Sequence, residues 1–222
     1  MLWGTGWNGG AVLAAFFVSS TAISRRTPAV SGLDPKEGRR DAHQVLANGG
    51  VAALVAVVGP RYPGLGYWLL TCTLAAAAAD TWATSLGARS AAPPRLISSG
   101  RLVPPGTNGG ITVLGCLGAM AGALAVATTG VVAGGPALLL PVAVLVGFAG
   151  MAIDSWLGAS LQGRYHCTVC DRPSEWPRHR CGAATIHLGG ARWLDNDAVN
   201  LAAGAASAAL GFAAWASLCP CS

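Results

Sequence analysis

Charged residues are scarce in this sequence. Asp, Glu, Lys and Arg together make up 10% of its 222 residues, against about 25% in an ordinary soluble domain. So few charges cannot cover the surface of a soluble fold of 22.2 kDa, which excludes that class. Apolar residues make up 53% of the chain, which excludes disorder, and we expect no nucleic-acid binding despite the formal net charge of +5. The chain therefore belongs in a lipid bilayer.

The first ten residues contain no charged side chain. A cleavable signal peptide needs a basic start and a small-residue cleavage site, so we expect a short uncleaved tail there. The apolar segments also lack the alternation of apolar and polar residues that marks the strands of a membrane barrel. Continuous runs of Ala, Val, Leu and Gly instead favour transmembrane helices.

Six apolar segments approach or exceed the length that spans a bilayer, which is about 20 residues in a helix. They cover residues 8–24, 45–60, 65–86, 109–133, 136–160 and 197–218. The high Gly and Ala content suits close packing between helices in lipid. We therefore predict an all-α polytopic membrane helix bundle, a single integral membrane domain over residues 1–222, with a cytoplasmic loop at 162–196 between spans five and six.

The basic residues are distributed unevenly among the connections. Thirteen of the fourteen fall between spans one and two, three and four, or five and six, and Arg61 is the exception. Because basic loops stay in the cytoplasm, we predict a multi-pass protein of the cell membrane with these three connections cytoplasmic and both termini outside. Such a face would attract anionic lipid headgroups and phosphorylated ligands, although setting the topology is a sufficient role for several of these residues.

Two acidic residues lie within predicted spans, where a charge is expensive and usually functional. Asp80 in span three and Asp154 in span five occupy matching depths, and Asp195 and Asp197 stand where span six begins. Four carboxylates at one depth on the cytoplasmic side suit a Mg²⁺ site, because Mg²⁺ prefers oxygen ligands shared with phosphates. The alternative for Asp80 and Asp154 is a buried pair with an arginine, and for Asp195 and Asp197 it is helix capping.

Glycine-rich segments open two of the predicted spans. The turn at residues 104–110 leads into span four, and Ala47-Asn48-Gly49-Gly50 opens span two. Glycines at a helix start leave backbone amides free, and the helix N-terminus adds positive potential, so both segments are candidate phosphate cradles. A tight turn or a packing glycine is the alternative for each of them.

The loop at 162–196 carries the pattern Cys167-x2-Cys170-x8-His179-x-Cys181. Three thiolates and one imidazole at this spacing match a closed tetrahedral zinc site, and a metal would fold a polar segment with little core of its own. We therefore predict structural Zn²⁺ on these four residues, with His166 and His187 as substitutes for His179. Free thiols and a redox-active cluster are the alternatives, and a reducing cytoplasm disfavours disulfides.

Five motifs follow one another over roughly residues 10–215: residues 39–50, Asp80-Thr-Trp-Ala-Thr-Ser-Leu-Gly87, Gly106-Thr-Asn-Gly-Gly110, Asp154-Ser-Trp-Leu-Gly-Ala159 and Leu194-Asp-Asn-Asp-Ala-Val-Asn200. Together they resemble a known family, the domain-of-unknown-function 92 (DUF92) integral membrane proteins. That family includes transmembrane protein 19 and the chloroplast phytyl-phosphate kinase, and the Cys/His loop resembles an insertion in some of its members. The stretch around Asp80 in span three also resembles, more faintly, dolichol kinase and phytol kinase. This similarity implies CTP as the phosphoryl donor.

The resemblance implies a membrane-embedded kinase that transfers a phosphoryl group from CTP, or another nucleoside triphosphate, to a polyprenyl or phytyl monophosphate and so makes the diphosphate. Under this hypothesis Asp80, Asp154 and Asp197 bind Mg²⁺, while Arg40 and Arg101 offset the charge that develops in transfer. The oligomeric state is left open, with a homo-oligomer as one option. The residues expected to bind the donor phosphates or to supply orienting hydrogen bonds are Asn48, Thr84, Ser85, Gly106, Thr107, Asn108, Gly109, Gly110 and Asn200.

Other functions fit parts of the same pattern. A CTP-dependent cytidylyltransferase acting on a phospholipid would release pyrophosphate. An ion-coupled transporter would use Asp80 and Asp154 to bind a coupling ion, but transport sites lie near the midplane, whereas these acids cluster towards one side. A scaffold held by its zinc loop would leave both acids without a role.

The topology is testable by cysteine labelling. Single cysteines placed at Lys36, Pro93 and Arg172 are expected to be protected from an impermeant thiol reagent added outside intact cells, because all three lie in basic connections. A cysteine at Arg61 is the matched control and should react. Labelling of any of the first three from outside would contradict the six-span arrangement.

Overall fold

The computed structural model describes residues 2–26, 42–179 and 181–219. Within this part of the chain, a helix occupies each of the six predicted spans, which confirms the all-α membrane bundle. A 3₁₀ turn, Gly59–Arg61, joins the second helix to the third. The six helices are α1 (Leu2–Arg25), α2 (Ala42–Val58), α3 (Pro63–Gly87), α4 (Val113–Val132), α5 (Leu139–Ser160) and α6 (Asn196–Leu218).

Four of these helices are long and apolar enough to cross a membrane by length and composition. They are Thr5–Arg25, Val113–Val132, Leu139–Ser160 and Asn196–Leu218, and Leu46–Arg61 is a shorter apolar helix. The 25 residues of α3 extend about 37 Å, at 1.5 Å per residue, but its Thr, Ser and Asp residues lower its hydropathy. Its polar content is explained by its place in the bundle.

The central helix of the bundle is α3, which contacts all five other helices. Every residue from 70 to 79 is buried, including the run of five alanines at 75–79. A helix enclosed in this way does not need a lipid-facing apolar surface, so it can carry polar side chains that α4 and α5 could not expose to lipid. The position of α3 therefore brings Asp80 into the interior of the protein.

Small residues allow the neighbouring helices to approach α3 closely. A methyl group added at Gly118 or Gly122 of α4 would lie 2.8 Å from the carbonyl oxygen of Trp82 or Ala78, respectively. On α5, a methyl group at Gly147 would lie 3.1 Å from the carbonyl oxygen of Ala75. Because lipid offers no hydrophobic drive for helix association, such close backbone packing holds the bundle together.

The two long connections, residues 88–112 and 161–195, lie at the same end of the bundle, which we call the loop end. Gly109 in the first connection packs against Ser155 and Ala159 of the last turns of α5. After α3, the Arg89 guanidinium donates to the carbonyl of Arg26, just beyond α1. Among the described basic residues, Arg61 lies at the opposite end, and the others at the loop end are Arg25, Arg26, Arg89, Arg95, Arg101, Arg164, Arg172, Arg178 and Arg192.

Both connections contain short antiparallel strands. In the first, β1 (Arg95–Leu96) pairs with β2 (Gly110–Ile111). In the second, β3 (Arg164–Cys167) lies between β4 (Arg172–Ser174) and β5 (Ile186–Gly189). We call residues 162–194, which contain these three strands, the Cys/His hairpin.

The start of the fourth helix differs from the prediction. Span four was predicted from residue 109, but Gly110 belongs to β2 and α4 begins at Val113. The Thr112 hydroxyl accepts a hydrogen bond from the amide of Gly115 at 2.9 Å and so caps the helix. A threonine cap beside a strand thus takes the place of the predicted glycine-rich helix start.

The close approach of α3 and α4 can be tested by adding one methyl group. Gly122→Ala is expected to destabilise the purified protein by about 1–3 kcal/mol, because overpacking moves a helix backbone or strains it. Gly49→Ala in α2 is the matched control, since the added methyl group meets nothing within 4 Å. Thermal unfolding in detergent measures both, and equal melting temperatures for the two variants would contradict the tight contact.

Candidate functional site

A small cavity lies among α2, α3, α5 and α6 in the interior of the bundle. Its volume is about 20 Å³, which is room for about one water molecule or one ion. Each of the four helices contributes one carboxylate or carboxamide side chain to its lining: Asn48, Asp80, Asp154 and Asn200. Four of the residues proposed from the sequence are therefore neighbours in the structure.

These four residues lie at similar depths below the loop end. Asp80 and Asp154 precede the last residues of α3 and α5 by between one and two turns. Asn48 and Asn200 follow the first residues of α2 and α6 by the same distance. Because α3 and α5 run towards the loop end and α6 runs away from it, residues distant in sequence meet at one level.

The rest of the cavity wall consists of residues that the sequence analysis did not select. They share helical faces with the four polar residues, at spacings of three, four or seven positions. That periodicity, counted from each predicted polar residue, is the signal that could have found them. They are Val51 on α2, Thr73, Ala76 and Ala77 on α3, Gly150 on α5, and Ala203 and Gly204 on α6.

Small residues in the wall keep the polar groups close together. A methyl group at Gly150 would lie 2.4 Å from the Ser207 hydroxyl and 2.7 Å from the Ala76 side chain, so α5 could not approach α3 and α6 with a larger residue there. The Thr73 hydroxyl donates to the carbonyls of Leu69 and Leu70. The hydroxyl hydrogen of Thr73 therefore bonds within α3 and not to the two acids.

The two carboxylates of the cavity are close enough to repel each other. The Oδ2 atom of Asp154 is buried and, within the described part of the chain, has no hydrogen-bond partner. A buried carboxylate oxygen without a partner is costly unless a cation or a proton compensates it. Two carboxylates and two carboxamides around a space for one ion form the oxygen-rich set that binds hard cations.

The predicted glycine-rich turn packs beside the helix turn that carries Asp154. Gly109 has a φ of +73°, and a methyl group there would lie 2.4 Å from the carbonyl oxygen of Ser155. Only glycine fits this contact. The Gly110 amide donates to the Thr107 carbonyl at 2.9 Å, and the Thr107 hydroxyl donates to the Pro104 carbonyl at 2.7 Å. Residues 106–110 therefore form a tight turn at the loop end, near the cavity but not in its wall.

Several other predicted residues lie outside the cavity wall. Thr84 is exposed one turn nearer the loop end than Asp80, and the buried Ser85 hydroxyl lies 3.5 Å from that of Ser24 on α1. Arg101 is exposed in the turn between β1 and β2. Arg40, the other predicted cationic residue, lies outside the described residues.

The two acids at the start of α6 also lie apart from the cavity. Asp195 accepts a hydrogen bond from the amide of Ala198 at 2.9 Å and caps the helix. The capping interpretation therefore holds for Asp195. Asp197 stands in the first turn, about one turn before Asn200 and nearer the loop end.

The Cys/His hairpin gathers a second set of donor groups. The ligand atoms of Cys167, Cys170, His179 and Cys181 all lie within 4.8 Å of one another. The Sγ atoms of Cys167 and Cys181 are 3.7 Å apart, close to the edge of a tetrahedron with Zn–S bonds of about 2.3 Å. The cluster could therefore hold a metal ion such as Zn²⁺.

The structure also separates His179 from the two other histidines of the hairpin. The His179 side chain is buried, and its Nε2 atom has no hydrogen-bond partner among the described residues. The Nε2 atom of His166 lies 3.1 Å from the Asp171 carboxylate, and the His187 ring packs edge-on against Tyr165, with its Nε2 atom also buried and unpartnered among the described residues. His179 is the imidazole that joins the cluster, because its ligand atom lies within 4.8 Å of those of the three cysteines.

Hydrogen bonds within the cluster shift the pKa values of two of its thiols in opposite directions. A backbone hydrogen bond from Cys170 lowers the pKa of the Cys167 thiol. The hydrogen bond with Cys181 raises the pKa of the Cys170 thiol to about 11. The Cys167 thiolate therefore forms more readily than the Cys170 thiolate.

The metal cluster can be tested directly on the purified protein. Elemental analysis is expected to find about one zinc per chain, because three sulfurs and one imidazole nitrogen suit a closed tetrahedral site. Cys170→Ser should lose the zinc, since a hydroxyl is a poor substitute for a thiolate. Cys116→Ser, on α4, is the matched control and should retain it. Zinc content unchanged in the Cys170 variant would contradict the site.

Comparison with known proteins identifies related membrane proteins. The chain is 30% identical over 234 residues to Protein PGR of Arabidopsis thaliana, a match that covers 88% of this chain and 77% of the relative. An uncharacterized membrane protein of Methanocaldococcus jannaschii is 32% identical over 157 residues, covering 67% of this chain and 63% of the relative. A second, from Synechocystis, is 30% identical over 175 residues, covering 72% and 66%.

No solved structure matches the chain. The model of the integral membrane protein family DUF92 matches residues 1–208, a range that contains all four polar residues of the cavity and the whole Cys/His hairpin. The resemblance noted in the sequence is thereby confirmed, and the chain belongs to the DUF92 family of integral membrane proteins.

Proposed function

We propose that this protein is a membrane-embedded kinase that phosphorylates a polyprenyl or phytyl monophosphate. An oxygen of the lipid phosphate attacks the terminal phosphorus of CTP, or of another nucleoside triphosphate, and the nucleoside diphosphate leaves. The products are the lipid diphosphate and CDP. No catalytic base is needed, because the acceptor phosphate is already an anion at neutral pH.

The observation that carries this proposal is the convergence of Asn48, Asp80, Asp154 and Asn200 on a space for one ion. Such a donor set suits Mg²⁺, which would neutralise charge on the transferring phosphoryl group. The uncompensated Oδ2 atom of Asp154 supports a cation at this place. Asp197, one turn nearer the loop end than Asn200, would act as an outer ligand.

The cavity is too small for a nucleotide, so both phosphates would lie above it at the loop end. Two features there favour phosphate. The turn at 106–110 packs on α5 within a turn of Asp154, and nine described arginines gather at this end. Arg101 and Arg40 would offset the negative charge of the donor, while Thr107 and Asn108 would orient it.

The lipid tail would lie along the seam between α2 and α6. Leu46 and Leu54 on α2, and Leu201 and Leu210 on α6, are exposed on the surface of these helices. Exposed leucines on both sides of a polar cavity allow the phosphate to enter the bundle while the tail stays in the bilayer. The substrate would thus approach from the membrane and the nucleotide from the loop end.

We assign the reaction to the cytoplasmic side of the cell membrane, because the loop end holds nearly all of the described basic residues. The whole chain would act as one membrane domain, with residues 162–196 as an insertion that carries structural zinc. A second copy of the chain is not required, since one bundle supplies all four cavity residues.

The test uses purified protein with CTP or ATP, Mg²⁺ and a panel of prenyl monophosphates. Asp80→Asn and Asp154→Asn are each expected to slow diphosphate formation by about 100-fold or more, because the amide keeps the shape but removes the charge that binds Mg²⁺. Both variants should retain their zinc and their melting temperature. Asp171→Asn is the matched control, since this exposed aspartate lies in the hairpin with a φ of +51° that asparagine also adopts.

The product analysis distinguishes the alternatives. Release of CDP together with lipid diphosphate supports the kinase, whereas release of pyrophosphate with a CDP-lipid would indicate a cytidylyltransferase. Near-normal turnover in the Asp80 and Asp154 variants would overturn the assignment of the cavity. Turnover of none of the prenyl monophosphates, combined with ion flux in vesicles that depends on the two acids, would favour a transporter.

A further inference from the structure

The sheet of the Cys/His hairpin has one buried and one exposed face. Neighbouring residues of a strand point to opposite faces, and in β5 the residues Ile186 and Leu188 are 55% and 63% exposed. His187, between them, points the other way, where its ring contacts that of the buried Tyr165. The face that carries Ile186 and Leu188 is therefore exposed, and it presents these two apolar side chains beside His166, which pairs with Ile186.

The hairpin is held rigidly to the ends of two membrane helices. At its base, the Gly163 amide donates to the Leu194 carbonyl at 3.0 Å, and the Ala191 amide donates to the Leu161 carbonyl at 2.8 Å. The chain enters the hairpin from α5 and leaves it into α6, both long and apolar enough to span a membrane. The base of the hairpin therefore adjoins the ends of two candidate membrane spans.

The charges of the hairpin have one predominant sign. Residues 162–194 contain five arginines and two acidic residues. Of the arginines, Arg164, Arg172, Arg178 and Arg192 are described and exposed. Beside Arg192, the Trp193 side chain is 77% exposed only a few residues before α6 begins. Exposed tryptophan next to arginine at a helix end is typical of the interface between membrane and water.

We propose that the Cys/His hairpin lies on the bilayer and is a binding surface for anionic lipid headgroups. Ile186, Leu188 and Trp193 insert at the boundary between headgroups and acyl chains. Arg164, which pairs with Gly189 across the sheet, and Arg192, next to Trp193 in the chain, contact the lipid phosphates. With a metal bound, the Cys/His cluster at the other end of the hairpin would keep the sheet folded, so that Ile186 and Leu188 stay available to lipid.

This surface is separate from the acid-lined cavity, and its test does not depend on catalysis. The full-length protein is placed in nanodiscs of phosphatidylcholine alone or of phosphatidylcholine with phosphatidylglycerol. Hydrogen–deuterium exchange is then followed for the peptide that contains residues 186–193. The amides are expected to exchange at least about fivefold more slowly in the anionic discs, because a basic side chain near an anionic surface contributes about that factor.

Two sets of variants locate the contact. Arg164→Gln with Arg192→Gln should remove the difference between the two lipid compositions, and Ile186→Ser with Leu188→Ser should increase exchange in both. Val169→Ser is the matched control, because this side chain is 74% exposed but stands in the turn between two cysteines of the cluster. It should leave exchange at 186–193 unchanged, and zinc content measured in parallel verifies that each hairpin is folded.

Equal exchange in the two lipid compositions would overturn the proposal. Slower exchange that appears only when two copies of the chain occupy one disc would also overturn it, because Ile186 and Leu188 would then contact a second chain and not lipid. The assigned face would also be contradicted if Val169→Ser changed the exchange at residues 186–193 and the Ile186 and Leu188 variant did not.

Discussion

The close packing of small residues around α3 is the constraint on which the rest of the structure depends. In a bilayer, helices are not driven together by the hydrophobic effect, so their association rests on backbone approach and van der Waals contact. Gly118 and Gly122 of α4 and Gly147 of α5 place their backbones directly against carbonyl oxygens of α3. Five surrounding helices then shield the central one from lipid. Only under that shielding can Asp80 lie within the membrane bundle.

The acid-lined cavity and the Cys/His cluster are linked through α5 and α6. Asp154 and Asn200 lie on α5 and α6, and the Cys/His hairpin connects the loop ends of those helices. The hydrogen bonds at the hairpin's base fix the separation of α5 and α6 just above the cavity. A metal that folds the hairpin would therefore also help to hold two of the four polar side chains at their present distance.

Comparison of sequence and structure separates local from tertiary information. The four residues of the Cys/His cluster were predicted together because their spacing is local, and the structure gathers the same four. The helices were also predicted well, since long apolar runs determine them without reference to neighbours. The start of α4 was missed because its cap, Thr112, follows a strand that forms only when residues 95–96 pair with residues 110–111. Ser85 was grouped with Asp80, but its side chain faces α1.

The sequence by itself determined a polytopic helical membrane protein of the DUF92 family, a Cys/His cluster, and a set of polar residues at one depth. Depth follows from counting residues along a helix, which needs no knowledge of the other helices. The tertiary structure decided which of those polar residues meet. That choice depends on how each helix is rotated about its own axis, and the rotation is set by where glycine and alanine let one backbone approach another. Hence Asn48, Asp80, Asp154 and Asn200 share a cavity, while Thr84, Ser85 and Arg101 lie outside it.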